Sequence, residues 1–125
     1  MSRLSSLLFI MLLGACSLSA QGELPTQLAT MTNELANKKA ILLDVREQGE
    51  WDEGHLSLAR LAPLSALRQG VLPAGFTADK GTKIYLHCRS GNRVKSAAPI
   101  LRDLGYTNLV PLSEGYSRLI GYGLK

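Results

Sequence analysis

Apolar residues follow three rhythms along this chain, and each predicts a different kind of segment. From Leu4 to Leu13 they are nearly continuous, with LLFIMLL at 7–13 and no alternating polar face. In TQLATMTNELANKKA (26–40), Leu28, Met31 and Leu35 recur at helical spacing and Asn37-Lys38-Lys39 forms a polar stop, which predicts a helix. AILLDV (40–45) is a short apolar run ending in a charge, as expected of a strand buried on both faces. KIYLHC (83–88), β-branched and aromatic and bounded by Gly81 and Gly91, is the clearest strand. NRVKSAAPILRDLGY (92–106) returns to helical spacing through Val94, Ala97, Ala98, Leu101 and Leu104, with Gly105 as its C-cap. Pro99 lies inside it and should bend it.

The intervening stretches are weaker. REQGEWDEGHL (46–56) is polar with two glycines and predicts a loop with a short helical turn. LARLAPL (58–64) and TNLVPL (107–112) are further strand candidates, LSALRQGV (64–71) is a helical turn, LPAGFTADKGT (72–82) a loop, and SEGYSRLIGYG (113–123) a last short helix and tail. Strands alternating with helices predict an α/β domain over 26–125: an open parallel sheet with right-handed crossovers and helices on both faces. In such sheets ligands bind at the carboxyl ends of the strands, and Cys88 stands at the end of the best one.

The apolar start is too short to span a bilayer, which takes roughly 18 to 20 residues. With Arg3 before it and small residues after it, it has the pattern of a secretory signal over 1–20. LGAC (13–16) resembles a bacterial lipobox, in which Cys16 is acylated and becomes the mature N-terminus; ordinary cleavage between Ala15 and Gln21 stays open. Either reading predicts a periplasmic protein, lipid-anchored to the membrane in the first case, and a tether over 17–24. The two thiols are Cys16 and Cys88, so once Cys16 is lipidated or removed, Cys88 has no intrachain partner and becomes a candidate reactive thiol.

The formal net charge is +4, and losing Arg3 makes it +3. With few aromatics and no basic run, this gives no case for nucleic acid and is compatible with a small anionic substrate. The chemistry concentrates in LHCRSGNR (86–93). The amides of 89–93 include the orphan donors of the next helix and, if the loop curls, converge on the Cys88 sulfur. Gly91 permits the curl, and Arg89 and Arg93 add positive charge. Each contribution favours an anionic, nucleophilic sulfur; the competing reading is a buried, inert Cys.

Three motifs in order, ILLDVREQGEWDEGHL, IYLHCRSGN and RVKSAAPILRDLGYTNLVPL, resemble the rhodanese family of single-domain sulfurtransferases from about residue 28 to 120. The features that carry the resemblance are Asp44 and Arg46 at a strand end, the Gly54-His55 turn, and Cys88 in a loop feeding a helix with Ser96, Ala97, Ala98 and Gly105. Loop size separates this family from Cys-dependent phosphatases, which place five residues between Cys and Arg to enclose a tetrahedral phosphate. Here four residues, Arg89, Ser90, Gly91 and Asn92, separate Cys88 from Arg93. The shorter ring suits one sulfane sulfur.

The resemblance implies a two-step transfer. Cys88 takes the outer sulfur of a small anionic donor such as thiosulfate, holds it as a persulfide against the loop amides, and passes it to a thiol or to cyanide, with no metal or organic cofactor. His55 and His87 lack metal-ligand spacing to Cys88. The alternatives are a sulfur carrier or partner-binding module on the same fold and, disfavoured by the loop count, a phosphatase or arsenate reductase.

For the neighbours, Asp44 and Arg46 are expected to form a structural ion pair, His55 to hydrogen-bond within its turn, His87 to be a satisfied core residue, and Trp51 to pack over the first strand. Arg89, Ser90, Gly91, Asn92 and Arg93 are the candidate substrate-binding positions, Arg93 either pinning the loop or attracting the donor. Glu50 and Glu114 are candidates for the mouth, where a carboxylate would repel sulfite or thiosulfate. The chain departs from the family at Ser57 and Leu58, which replace Pro and Gly, at Glu114-Gly115, which replaces a Gly-Gly pair, and near Leu119, where a Trp often stands.

Overall fold

The computed structural model describes residues 22–125. The expectations for the signal segment 1–20 and for lipidation of Cys16 lie outside the described residues.

The chain runs α1 (Thr26–Ala36), β1 (Ala40–Asp44), α2 (Gln48–Glu53), β2 (Ala59–Leu61), α3 (Leu64–Leu67), β3 (Lys83–His87), α4 (Arg93–Asp103), β4 (Leu109–Pro111) and α5 (Tyr116–Gly121). The four strands form one all-parallel sheet in the order β2-β1-β3-β4. Ala40 pairs with Lys83 and Asp44 with His87, so the two central strands end level with each other.

Two apolar layers cover the sheet, and strand pleating deals residues to them alternately. Leu43, Ile84 and Leu86 face α3 and α4, where Leu64, Leu67, Val94, Ala97 and Leu101 complete one core. Ala40, Leu42 and Tyr85 face the other way, onto Leu28 and Met31 of α1 and Leu119 of α5. Burial on both faces is why β1 and β3 read as continuous apolar runs. Helices α1 and α4 need only one apolar stripe, hence their 3.6-residue rhythm.

Helix α4 runs unbroken through Pro99. Pro99 and Lys95, one turn earlier, are both exposed, so the missing amide leaves the Lys95 carbonyl on the watered side, where solvent can satisfy it. The helix closes with the Tyr106 N–H donating to the Leu101 carbonyl at 3.1 Å.

Strand β2 lies on one side of β1 and β3 on the other. The chain therefore leaves β1 in one direction and crosses back over the opposite face to β3. The carboxyl ends of β1 and β3 form the switch point at which open parallel sheets build a ligand crevice.

Candidate active site

Both central strands deliver chemistry to that crevice: β1 ends in Asp44 and leads to Arg46, and β3 ends in His87 and leads to Cys88. The Cys88 side chain is buried to zero exposure, and its Sγ accepts the Gly91 N–H at 3.1 Å. The wider convergence of amides 89–93 predicted from the sequence is not formed at rest; among the described residues, Gly91 provides the one hydrogen bond to the sulfur. Arg89, Ser90 and Asn92 are exposed, Gly91 is buried and Arg93 is half-buried at the first turn of α4. The Asn92 side chain does not cap that helix.

The ring is held from behind by residues 113–116. Gly91 has φ +83°, and a Cβ there would stand 2.5 Å from the Ser113 carbonyl oxygen. A Cβ on Gly115 would overlap the Arg89 carbonyl, and the Tyr116 N–H donates to the Cys88 carbonyl at 2.9 Å. Two side-chain-free contacts thus let two backbone segments touch. The segment reads as a departure in sequence, since Glu114 replaces one glycine of the family's pair, but Gly115 keeps the glycine that meets the loop.

Two carboxylate–guanidinium pairs brace the crevice. Asp44 and Arg46 are both buried: Arg46 donates from Nε to both Asp44 oxygens at 3.0 Å and from Nη2 to Oδ2 at 2.7 Å. Its Nη2 also reaches the Gly54 carbonyl at 2.8 Å, and its guanidinium lies 4.1 Å over the Tyr116 ring. One side chain thereby joins β1, the end of α2 and the start of α5. The predicted structural pair is present, and its work is to fix where α2 stands.

The second pair joins Arg93 to Glu50 across 43 residues, Nη1 to Oε1 at 2.5 Å and Nη2 to Oε2 at 2.9 Å. Arg93 holds the Glu50 carboxyl down at about 2, and Glu50 in turn raises Arg93. Glu50 also accepts the Glu47 N–H at 3.2 Å in the capping box of α2, and Glu47 accepts the Ser65 hydroxyl at 2.7 Å. The loop, α2 and α3 are thus linked in series. Of the two roles considered for Arg93, its guanidinium is engaged in pinning. Sequence reading placed Glu50 at the mouth but did not pair it with Arg93.

His87 is buried to zero exposure, with Nε2 3.5 Å from Asp44 Oδ2 and no hydrogen-bond partner on either ring nitrogen. Burial pushes its pKa below the usual histidine value, so the ring is neutral near pH 7. It stacks on Tyr116, ring centroids 6.4 Å apart. The expectation of a satisfied core histidine therefore holds for its burial and fails for its hydrogen bonds. His55 is exposed, donates from Nδ1 to the Trp51 carbonyl at 3.0 Å within its turn, and stacks on the Trp51 ring at 3.6 Å. Trp51 in turn packs against the core of the α1 and α5 face. One carboxylate oxygen of Glu114, Oε2, is buried without a hydrogen-bond partner.

A cavity of about 250 Å³ opens beside the loop, lined by Arg46, Glu50, Glu53, Gly54, Arg89, Tyr116 and Ser117. Glu53 and Tyr116 carried no sequence signal as site residues. Only the fold brings α2 and the start of α5 to the same rim. A more apolar groove of about 390 Å³ on the α1 and α5 face shares no residue with the Cys loop and lies apart from this chemistry.

Together these features define a doubly wound α/β domain with a covered cysteine in a six-residue ring at its switch point. Residues 25–120 match the Rhodanese-like domain family, and the chain belongs to it. It is 38% identical over 81 residues to the uncharacterized protein YqhL of Bacillus subtilis, covering 65% of this chain and 61% of that protein. It is 31% identical over 80 residues to the probable adenylyltransferase/sulfurtransferase MoeZ of Mycobacterium tuberculosis, covering 64% of this chain and 20% of MoeZ. The chain thus spans less than two thirds of these relatives. The human single-domain sulfurtransferase TSTD1 superposes with a TM-score of 0.65 at 26% identity, over 74% of this chain and 91% of that one.

Proposed function

We propose that this protein is a sulfurtransferase in which Cys88 carries the transferred sulfur. The observation that bears most weight is the seat of its Sγ: at the end of β3, within a six-residue ring, accepting the Gly91 amide at 3.1 Å. The Cys88 thiolate attacks the outer sulfur of thiosulfate, the S–S bond of the donor breaks, and sulfite leaves with the bonding pair. Cys88 then bears a persulfide, whose negative charge the Gly91 N–H, already donating to Sγ, stabilises with the positive end of the α4 dipole. An acceptor thiolate or cyanide takes the outer sulfur and restores the Cys88 thiolate.

Residue classes divide the work. The Asp44–Arg46 pair holds the strand end and α2, and the Ser113–Tyr116 segment sets the depth of the ring. Arg89, exposed at the rim, is the cation that meets an arriving anion. Because the sulfur is fully covered at rest, each transfer includes a displacement of the rim. Export and attachment through a lipid on Cys16 belong to the same proposal, on the strength of residues 1–20.

The test is intact mass spectrometry after exposure to thiosulfate, followed by cyanide. The wild-type protein should gain one sulfur atom and lose it again, and Cys88→Ser should gain none. Persistent sulfur uptake by Cys88→Ser would remove the basis of the proposal.

A further inference from the structure

We propose that Glu50 is a specificity-determining residue that turns the site away from dianionic sulfur donors and toward donors of single negative charge. This rests on the sulfurtransferase reading and adds a choice of donor to it. Three guanidiniums surround the Cys loop, and the fold has already occupied two. Asp44 takes Arg46, and Glu50 takes both terminal nitrogens of Arg93. Arg89 is exposed and has no carboxylate partner among the described residues. Glu53, exposed on the same cavity, has no cationic partner among them either.

An incoming anion at this cavity therefore meets one free cation and one free carboxylate, while Glu50 occupies both terminal nitrogens of Arg93, the residue that closes the six-residue ring. Two donors isolate the effect, because they offer the same sulfane sulfur and differ by one charge. Thiosulfate reacts as Cys88–S⁻ + S–SO3²⁻ → Cys88–S–S⁻ + SO3²⁻. Methanethiosulfonate reacts as Cys88–S⁻ + CH3SO2–S⁻ → Cys88–S–S⁻ + CH3SO2⁻. Each is balanced without oxidant or reductant. By cancelling the Arg93 charge, Glu50 removes an attraction that would act on the dianion twice as strongly as on the monoanion, which at the separations of a cavity rim amounts to roughly a fivefold discrimination.

The experiment measures kcat/KM for thiosulfate and for methanethiosulfonate in wild-type protein, Glu50→Gln, Arg93→Gln and the double variant, at low and at high salt. Glu50→Gln keeps an oxygen for the Glu47 amide and releases the Arg93 charge. It should raise the thiosulfate-to-methanethiosulfonate ratio roughly fivefold, mainly through KM, and salt should erase the gain. Arg93→Gln leaves the Glu50 charge uncompensated and should move the ratio the other way. The double variant should return near the wild-type ratio.

A purely structural role for the pair would lower kcat for both donors alike and leave the ratio and its salt dependence unmoved, which would overturn the inference. Should Glu50→Gln fold poorly, an unchanged ratio in Arg93→Gln overturns it equally. Failure of Cys88 to accept sulfur from either donor in wild-type protein would instead overturn the sulfurtransferase reading, and this inference with it.

Discussion

Gly91→Ala is the sharpest single perturbation of the ring. At φ +83° an alanine sits in backbone space that costs an L-residue about 1–2 kcal/mol. Its Cβ would also stand 2.5 Å from the Ser113 carbonyl, a backbone atom in a segment itself pressed against Arg89 by Gly115. Relief must come from the loop, and moving residue 91 draws its N–H off the Cys88 sulfur, now 3.1 Å away. Loss of one such preorganised donor costs about 10² to 10³ in rate where the donor stabilises a developing anion. In a domain of this size, about 2 kcal/mol lowers Tm by roughly 8–15 °C. Gly49→Ala supplies the control. It lies in α2 with open space around its missing Cβ, so it should hold or raise Tm and leave the rate unchanged. Thermal melting, with the rate of sulfur loading from thiosulfate, reads both. A Gly91→Ala protein that melts within about 2 °C of wild type and loads at the wild-type rate would refute the reasoning.

Three further outcomes are expected. Arg46→Met leaves the buried Asp44 carboxylate without its counter-charge and should cost about 3–5 kcal/mol in urea unfolding, with Asp44→Asn/Arg46→Met less damaging than the single change. Acid should weaken the fold in two stages, each with the same sign. His87 is held neutral, so the unfolded chain binds its proton first and stability falls as pH drops below about 6.5; the slope of stability against pH there should vanish in His87→Gln. The Glu50 carboxyl sits at about 2, so its contribution is complete above about 4.5 and disappears as pH falls toward 2; solvent around the pair reduces it to about 1 kcal/mol. Finally, intact mass of protein recovered from a bacterial host should reveal cleavage before an acylated Cys16, and Cys16→Ser should change processing while leaving sulfur loading intact; an unprocessed N-terminus would contradict export.

Periodicity alone carried much of the architecture. AILLDV and KIYLHC are legible because a strand sandwiched between helix layers has no wet face to interrupt its apolar run, and α1 and α4 because a surface helix must show one stripe. Gly105 at the end of α4 and the Asp44–Arg46 pair, two residues apart, are likewise local facts that neighbouring positions can reveal. Short-range chemistry leaves short-range traces. The Cys88 ring is partly of this kind: its length, its glycine and its place before a helix are all written in residues 88–93.

The rest was decided by the crossovers. No spacing rule connects Arg93 to Glu50 across 43 residues; they meet because the chain leaves β1 on one face and returns over the other, bringing α2 to the mouth of α4. The same folding lays Ser113–Tyr116 against the ring, packs Tyr116 against Arg46 and His87, and closes the rim over the sulfur. Sequence by itself determined which atoms can react and which helices and strands can form, since those depend on neighbours along the chain. Which charges remain free to greet a substrate depends on neighbours across space, and tertiary structure alone chose them.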